Sequence, residues 1–318
     1  MQRENIELVV VTYNSARHIG PCVDSIRAAG ALPVVVDNGS TDDTLEIVRA
    51  RCPEAKIVAL AENLGYGKAL NAGLREGVGD FVILSNPDVV FPKGSVVQLV
   101  DYLKTNTQVG IAGPQQVLPD GSWQRSYGNL PGIWSGIKDA TGITTLGSRT
   151  RRHLWPRRVV WHPTRVPYLD GAVLAVRRRA FEDVGGFDEE FSFYAEEADL
   201  CARLKQAGWG VVFVPQVQVM HVRGADSTKK DASDRFVRMQ VAAQYLLASK
   251  HLPSWKVRVY ARLEVAHFAR LQWIHRLLNQ FGGSNYSYAG KIRMFGDYRR
   301  IWKEYCETGR LTHATSPD

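Results

Sequence analysis

The stretch FVILSNPDVVF, residues 81–91, decides the fold of this chain. Its first four residues are apolar, and a short run rich in branched and aromatic side chains is typical of a buried strand. Pro87 has no N–H to donate, so the predicted strand ends there. Asp88 is then held at the carboxyl end of a strand, where open α/β sheets bind their ligands. A carboxylate there, beside the amide of Asn86, suits a divalent cation that carries a phosphate-rich ligand. A plain turn is the alternative, because Asn, Pro and Asp all favour turns.

Alternating strands and helices are predicted on the N-terminal side of this stretch. The predicted strands span 6–11, 32–36, 56–60 and 80–84, and a helical pattern follows each. Such alternation indicates right-handed βαβ units and an α/β fold with a mixed, mostly parallel sheet flanked by helices. Because parallel strands end at one edge of a sheet, we expect the polar residues after these strands to converge. They are Thr12, Asp37, Asn63 and Asp88.

The converging side chains predict a nucleotide-like ligand. They would supply a carboxylate for base or ribose, amides and a cation-binding Asp, and Lys68 would meet phosphate. The dinucleotide fingerprint GxGxxG and the phosphate loop GxxxxGK are both absent after the first strand, which disfavours those two nucleotide-binding folds.

Further elements are predicted up to residue 221. They are a helix over 96–103, a strand over 109–112, a hairpin over 115–127 that turns at 119–122, a strand over 166–176 interrupted at Asp170-Gly171, and strands over 210–214 and 217–221. Residues 128–167 are assigned to no element. Their arginines predict either a site for a phosphorylated acceptor or an exposed loop. These are Arg149, Arg151, Arg152, Arg157, Arg158 and Arg165.

Three acids mark the start of another predicted helix, which runs from Glu196 to Ala207 and is stopped by Gly208. Glu196, Glu197 and Asp199 could simply complement the helix dipole. Adjacent like charges and the preceding aromatic residues would, however, raise at least one carboxyl pKa, which makes a general base. His221 follows an apolar strand and is either a structural residue or a further ligand for metal or diphosphate.

Taken in order, these motifs resemble family 2 glycosyltransferases of the GT-A fold, especially the rhamnosyltransferase-like branch. The matching segments are VTYN (11–14), VDNGSTD (36–42), NLGYG (63–67), NPD (86–88), LDGA (169–172), GGFDE (185–189), EEADL (196–200) and His221. The order of the segments makes the set more specific than any one of them.

The resemblance implies a nucleotide-sugar donor, dTDP- or UDP-linked, and a divalent cation, Mg or Mn. The implied donor-binding residues are Thr12, Tyr13, Asn14, Asp37, Asn63, Lys68, Asn71, Asn86 and Asp88. The segment NPD stands where the family has an Asp-x-Asp metal motif, so Asp88 alone supplies the carboxylate and His221 is the further metal ligand.

The resemblance also implies the reaction. Glu197 matches the catalytic base, and Glu196 is the alternative. The transfer would invert the anomeric centre and move a single sugar, since the Gln-x-x-Arg-Trp motif of processive members is absent. We expect rhamnose from dTDP-rhamnose to pass to a polyprenyl-diphosphate-linked or other glycan acceptor in bacterial cell-surface polysaccharide synthesis. A non-catalytic nucleotide-sugar-binding module of a glycan assembly complex is the alternative.

The rest of the chain predicts a GT-A domain over 1–230 and a basic, amphipathic, helical region over 231–318. From Lys250 onward there are 12 Lys and Arg against 5 Asp and Glu, which accounts for most of the net charge of +8. An apolar stripe that includes Tyr260 and Leu263 predicts a helix in the interface of a membrane, or one docked on a domain. No run approaches the roughly 18 apolar residues of a membrane span.

The expected location is therefore cytoplasmic, peripheral to the inner face of the cell membrane. The N-terminus does not resemble a signal peptide. The scattered Cys22, Cys52, Cys201 and Cys306 predict reduced thiols rather than disulfides or a zinc site. Nucleic acid is not an expected partner, and a homodimer is left open.

Overall fold

The computed structural model describes residues 6–142, 160–222, 234–281 and 288–309. These residues form two compact units. The first comprises residues 6–129 and 160–222, and the second comprises 130–142, 234–281 and 288–309. The predicted arginine cluster at 149–158 lies outside the described residues, whereas Arg165 is described.

The secondary structure follows the predicted alternation. The strands are β1 (Ile6–Thr12), β2 (Ala31–Asp37), β3 (Lys56–Ala59), β4 (Phe81–Ser85), β5 (Val89–Val90), β6 (Val109–Val117), β7 (Tyr127–Gly128), β8 (Thr164–Arg165), β9 (Tyr168–Leu169), β10 (Val173–Arg177) and β11 (Gly210–His221). The helices are α1 (Ala16–Ala28), α2 (Thr44–Arg51), α3 (Tyr66–Arg75), α4 (Ser95–Thr105), α5 (Ile133–Thr141), α6 (Arg178–Asp183), α7 (Glu196–Gln206), α8 (Asp234–His251), α9 (Ser254–Phe281) and α10 (Ala289–Thr308).

A mixed, mostly parallel sheet organises the first unit, which confirms the predicted α/β fold. Its strand order is β3-β2-β1-β4-β10-β6-β11-β5, and β8 pairs with β11. Strands β1 to β4 are parallel to one another, as are β6 and β11. Strand β10 is antiparallel to both β4 and β6, and it joins the two parallel parts. Strands β7 and β9 form a separate two-stranded sheet.

Alternate residues of the central strands feed two apolar layers, one on each face of the sheet. Leu8 and Val10 of β1 belong to one layer, and Val9 and Val11 belong to the other. This is the two-fold periodicity of a strand buried on both faces, and it explains why these strands are nearly all apolar. Gly73 lets α3 approach the sheet, because a Cβ there would lie about 2.5 Å from Val9.

Two strands are longer than the sequence predicts. Strand β6 continues through Gly113 and Pro114 to Val117, whereas we expected it to end at residue 112. Strand β11 is continuous, whereas two strands were expected. Its pairing with β6 shifts register between Val214 and Gln218, and this irregularity accommodates Pro215, which lies between the two expected strands.

The predicted hairpin after β6 is confirmed. The chain turns back at Asp120-Gly121, where Leu118 N–H donates to the carbonyl of Ser122 at 2.8 Å, and Val117 forms an isolated bridge with Trp123. The predicted interruption at Asp170-Gly171 is also present, because it separates β9 from β10. Helix α5 lies within residues 128–167, for which the sequence predicts no element.

The second unit consists of helices α5, α8, α9 and α10 around an aromatic core. Trp302 is fully buried, and Tyr245 stacks on Tyr305 with ring centroids 4.2 Å apart. Tyr260 belongs to the apolar stripe of α9, for which the sequence predicts either a membrane interface or a docked helix. It is buried in this core beside Trp302. Leu263 of the same stripe lies against Gly136 of α5. Part of the apolar stripe of α9 is therefore used in helix packing.

The exposed face of α9 carries a different set of side chains. Trp255, Arg258, Arg262, Trp273 and Arg276 are all exposed, and helical spacing places them on one side of the helix. No helix in the described ranges is both long enough and apolar enough to cross a membrane.

Candidate active site

The ends of β1 and β2 are joined by hydrogen bonds between their loops. Thr12 pairs with Asp37 in the parallel register, and both are buried. Asp37 accepts from the backbone N–H of Ser40 at 3.1 Å, and Asn14 accepts from the N–H of Thr41 at 2.8 Å. Asn14 has a left-handed backbone, with φ of 47°. Thr12 Oγ1 is buried and has no hydrogen-bond partner among the described residues, so it could bind a ligand.

A second set of polar contacts holds the loop before α3. Asn38 donates to Asn63 Oδ1 at 2.8 Å and accepts from the N–H of Leu64 at 2.9 Å. Asn63 also accepts from the N–H of Gly65 at 3.0 Å. These bonds fix the entry into α3, whose first turn carries Lys68. Lys68 is half-buried and makes no hydrogen bond or ion pair with the part of the chain that the structure describes.

Asn71 has a structural partner that the sequence did not suggest. Its amide nitrogen donates to the carbonyl of Phe187 at 2.9 Å, and its oxygen accepts from the N–H of the same residue at 3.0 Å. This two-point contact attaches α3 to the GGFDE segment. Both groups of the Asn71 amide are engaged in this contact, and the role of Asn71 in donor binding stays a prediction.

Asp88 lies beside His221, although 133 positions separate them in the chain. The carboxylate oxygen Oδ1 of Asp88 is 3.3 Å from Nε2 of His221. The pairing of β5 with β11 causes this proximity, because Val89 is directly opposite His221. The carbonyl of Asp88 also accepts from the N–H of Val222 at 3.0 Å. Asn86 precedes Asp88, and its N–H donates to the carbonyl of Ala172 at 3.0 Å.

Two glutamines surround the other ring nitrogen of His221. Nδ1 is 3.0 Å from Gln116 Oε1 and 3.1 Å from Gln124 Oε1. Gln116 also donates to Asp170 Oδ1 at 3.1 Å. A continuous polar chain thus runs from Asp88 through His221 and Gln116 to Asp170.

The three acids of α7 have different environments. Glu196 is buried, and its Oε2 has no hydrogen-bond partner within the described ranges. Glu197 lies against Gly171, where an added Cβ would be 3.4 Å from the Cβ and Cγ of Glu197. Asp199 forms an ion pair with Arg203 at 2.7 Å, one helical turn later. Asp199 therefore has the ordinary structural role of an acid in a first turn.

Burial raises the pKa of Glu196 to about 7. Burial and the neighbouring charge of Glu196 raise the pKa of Glu197 well above its usual value, and Asp170 adds to this effect. The pKa of Tyr66 is raised by burial and then by four carboxylates, those of Glu196, Glu197, Asp88 and Asp170. The phenol of Tyr66 thus lies within electrostatic range of both Asp88 and Glu197, which come from distant segments of the chain.

The backbone before these acids is strained. Tyr194 and Ala195 both have left-handed backbones, with φ of 70° and 67°, which side chains with a Cβ seldom adopt. Gly65 approaches this loop so closely that an added Cβ would be 2.4 Å from the carbonyl oxygen of Ser192. The loop is thereby held against the start of α3, and the first turn of α7 faces Tyr66.

Several residues of this site were missed at the level of sequence. They are Tyr66, Gln116, Gln124, Arg125, Tyr168 and Asp170. Arg125 is exposed, donates to the hydroxyl of Tyr168 at 2.9 Å, and lies over Gly128, where a side chain would displace it. Burial raises the pKa of Tyr168; the charge of Arg125 opposes this shift, and the charges of Glu197 and Asp170 add to it. The predicted hairpin was a usable signal for Gln116 and Gln124, since it places them opposite each other.

The residues present fit a divalent cation bound together with a ligand. The described residues contain no group of three or more His, Cys, Asp or Glu side chains arranged around a metal position. Asp88 and His221 supply one oxygen and one nitrogen, and Mg²⁺ sites that are completed by substrate phosphates commonly have only one or two protein ligands. Both side chains are largely buried and further oriented by hydrogen bonds.

Comparisons with known proteins show the family of the chain. A sequence model described as "Glycosyltransferase like family 2" matches residues 3–239. An N-acetylglucosaminyl-diphospho-decaprenol L-rhamnosyltransferase of Mycobacterium tuberculosis (strain ATCC 25618 / H37Rv) is 35% identical over 270 residues, covering 79% of this chain and 86% of that protein. The dTDP-rhamnosyl transferase RfbF of Shigella flexneri is 24% identical over 233 residues, covering 71% of each.

Solved structures with the same fold include two transferases. A mannosyltransferase of Pyrobaculum calidifontis, in complex with GDP-Man and Mn²⁺, superposes with a TM-score of 0.59 at 18% identity and covers 96% of this chain and 88% of its own. GalNAc-T7 with UDP, GalNAc and Mn²⁺ gives a TM-score of 0.60 at 15% identity, covering 96% and 56%. These similarities confirm the predicted GT-A fold. Because the family match covers about three quarters of its length, the chain belongs to the family 2-like glycosyltransferases, on the rhamnosyltransferase-like side.

Proposed function

We propose that this protein transfers a single rhamnose from dTDP-rhamnose, with inversion, to a polyprenyl-diphosphate-linked glycan during synthesis of a bacterial cell-surface polysaccharide. The names of the two rhamnosyltransferase relatives support the sugar and the acceptor class. The observation that carries the proposal is the gathering of Asp88 and Glu197 around Tyr66, because it joins a cation-type carboxylate and a base-type carboxylate in one place.

The donor is proposed to lie along the carboxyl ends of the parallel strands. Thr12, Tyr13, Asn14 and Asp37 would hold the base and ribose. Asn63, Lys68 and Asn71 would complete the nucleotide site. Thr12 Oγ1 is buried, and neither it nor Lys68 has a polar partner within the described ranges, which supports such a placement. Asn86 and Asp88 follow at the end of β4, nearer the diphosphate.

Asp88 and His221 would hold Mg²⁺ or Mn²⁺, which supplies charge neutralisation to the departing nucleoside diphosphate when it is bound. The related folds solved with Mn²⁺ support this proposal. Asp88 is the single carboxylate of the segment NPD, so the affinity of the free protein for the cation should be modest and should rise with nucleotide present.

Glu197 is the proposed general base, with Glu196 as its buried neighbour. It would take the proton of the acceptor hydroxyl as that oxygen forms a bond to the anomeric carbon, while the bond from that carbon to the diphosphate oxygen breaks. The electron pair of the broken bond leaves with dTDP. The raised pKa makes the ionised carboxylate of Glu197 a stronger base than an ordinary glutamate.

The acceptor is proposed to bind beside Tyr168 and Arg125. The exposed face of α9 is proposed to contact the membrane. The exposed guanidinium of Arg125 suits a diphosphate group. The exposed Trp255 and Trp273, interleaved with arginines, suit the interface of an anionic membrane. We therefore retain the GT-A domain over 1–230, the helical region over 231–318, and a position peripheral to the cytoplasmic membrane face as proposals.

The experiment uses the full-length protein with dTDP-rhamnose, UDP-GlcNAc and GDP-mannose, a short-chain polyprenyl-diphosphate GlcNAc acceptor, and either Mn²⁺ or EDTA. We expect transfer from dTDP-rhamnose alone, loss of transfer in EDTA, and a product whose anomeric configuration by NMR is opposite to that of the donor. Retained configuration would contradict the mechanism. Tight binding of dTDP-rhamnose without turnover on any acceptor would favour the alternative, a non-catalytic nucleotide-sugar-binding module.

A further inference from the structure

The two ring nitrogens of His221 have unequal surroundings. Nε2 faces a single carboxylate oxygen, that of Asp88, at 3.3 Å. Nδ1 faces two amide oxygens, those of Gln116 and Gln124, at 3.0 and 3.1 Å. The ring, Gln116 and Gln124 are all buried, so these contacts are not exchanged with bulk water.

The orientation of each glutamine amide is fixed by a second hydrogen bond. The nitrogen of Gln116 donates to Asp170 Oδ1 at 3.1 Å, which turns its oxygen toward His221. The nitrogen of Gln124 donates to the backbone carbonyl of His221 at 2.8 Å, which also turns its oxygen toward the ring. Reversing either amide would place an N–H₂ group against Nδ1 and an oxygen against another acceptor.

An acceptor oxygen on each side of Nδ1 requires that this nitrogen carry a proton. In the neutral ring the lone pair is then on Nε2, directed toward the same region as the carboxylate of Asp88. We propose that Gln116 and Gln124 are positioning residues that hold His221 as its Nδ1–H tautomer and so present Nε2 to the divalent cation. This inference rests on the proposed function for the identity of the cation, but the tautomer itself is a property of the folded chain.

Gln116 also connects the two sides of the site. Asp170, which its amide nitrogen holds, precedes Gly171, and Gly171 lies against Glu197. Asp170 further accepts from the N–H of Ala172 at 3.3 Å, which orders the same turn. Loss of Gln116 should therefore disturb both His221 and the turn beside the proposed base, whereas loss of Gln124 should disturb His221 alone.

The chain offers a matched control in Gln115. It is also buried, and its amide nitrogen donates to the carbonyl of Gln124 at 2.9 Å and to Ser126 Oγ at 3.2 Å. It thus stabilises the same hairpin without being directed at the imidazole. A Gln115→Leu variant reports what a loss of hairpin hydrogen bonds does by itself.

The first measurement is the tautomer of His221 by long-range ¹H–¹⁵N correlation on histidine-labelled full-length protein, with His221→Asn for assignment. We expect the Nδ1–H tautomer in the wild type and in Gln115→Leu, and a mixture or the Nε2–H form in Gln124→Leu. An Nε2–H tautomer in the wild type would overturn the inference, whatever the protein catalyses.

The second measurement is Mn²⁺ affinity, by electron paramagnetic resonance titration in the presence of dTDP. We expect Kd to rise by about tenfold to a hundredfold in Gln124→Leu and Gln116→Leu, the usual effect of removing a residue that orients a metal ligand, and to change less than threefold in Gln115→Leu. Equal weakening of Mn²⁺ binding in all three variants would mean that the glutamines only stabilise the hairpin, and it would overturn the proposal. Failure of wild-type protein to bind Mn²⁺ would instead count against the proposed function, while the tautomer result would still stand.

Discussion

Two buried glutamates, one in each unit, have the same raised pKa but different neighbours. Glu196 begins α7 and Glu264 lies in the middle of α9, and both are only 5–6% exposed. Burial raises the pKa of each to about 7. From the titration alone, the two residues would be equally good candidates for a catalytic acid or base.

Their neighbours separate them. Glu264 has a hydrogen bond from Tyr260, and the main charge acting on it is that of Asp139 in α5. Glu196 has an oxygen with no partner in the described ranges, follows two left-handed residues, and acts on Tyr66 together with carboxylates from two other segments, those of Asp88 and Asp170. A raised pKa thus records burial, whereas convergence of charged groups from several elements on a strained backbone indicates a functional site.

The largest expected difference between the two regions is in catalysis. Glu197→Gln removes the proposed base beside Glu196, and we expect the transfer rate at saturating donor to fall by about 10²- to 10⁴-fold. Glu264→Gln, the matched change in the second unit, should leave the rate within about twofold. Rates are measured with dTDP-rhamnose and Mn²⁺. The affinity for dTDP in Glu197→Gln should stay near the wild-type value, which shows that the pocket is intact.

Glu264→Gln is the control for this comparison. If Glu264→Gln lost activity as severely as Glu197→Gln with unchanged stability, the distinction drawn from the neighbours of the two residues would be wrong. Full activity of Glu197→Gln would remove Glu197 as the base, and Glu196→Gln would then be the variant to test.

The second difference concerns pH. A buried carboxyl whose folded-state pKa exceeds its unfolded value near 4.5 favours folding in its protonated form, so that contribution is complete below about pH 4.5 and is lost as pH rises through about 7. Each group can change the free energy of unfolding by about 3 kcal/mol over this interval. Glu196→Gln and Glu264→Gln should each make the free energy of unfolding less dependent on pH, as measured by urea unfolding at pH 5 and pH 8.

Only one of the two variants should also affect the rate profile. The base must be ionised to accept a proton, so wild-type activity should increase with pH while stability decreases. Glu196→Gln removes a charge that raises the pKa of Glu197, and it should move the rise in activity to lower pH. Glu264→Gln should leave the profile in place. An identical displacement in both variants would mean that the profile reflects folding rather than the base.

The two regions also differ in how far the sequence predicts them. The alternation of β1 to β4 with helices predicted the mixed, mostly parallel sheet, because each strand is a short apolar run followed by polar turn residues. Asp88 and His221 were indicated because each follows an apolar strand, and Glu196 and Glu197 because acids cluster at the start of a predicted helix after aromatic residues. These are local signals, and a single chain displays them without any knowledge of contacts.

What the sequence did not predict depends on contacts between distant segments. The pairing of β5 with β11 brings His221 to Asp88, and the hairpin brings two glutamines to one ring nitrogen. The contact of the Asn71 amide with the backbone of Phe187, 116 positions away, likewise has no local signal in the sequence. Strand β11 was expected to be two strands, and it is continuous because a register shift in its pairing with β6 accommodates Pro215.

The smallest expected difference lies in the backbone itself. Ala195 has φ of 67°, and a left-handed alanine costs about 1–2 kcal/mol that glycine avoids. Part of this gain is offset, because glycine loses more freedom on folding. We expect Ala195→Gly to raise the free energy of unfolding by about 0.5 kcal/mol.

Ala266→Gly is the matched change in the second unit, at an exposed position in regular α9, and it should lower the free energy of unfolding by about 1 kcal/mol. Urea unfolding of both variants at one pH measures the sign of each change in the free energy of unfolding. Equal destabilisation would mean that the backbone before Glu196 is relaxed, and the comparison would then depend on charge alone. Opposite signs, together with slower transfer by Ala195→Gly, would show that the first turn of α7 is held at a cost in stability because its acids must face Tyr66.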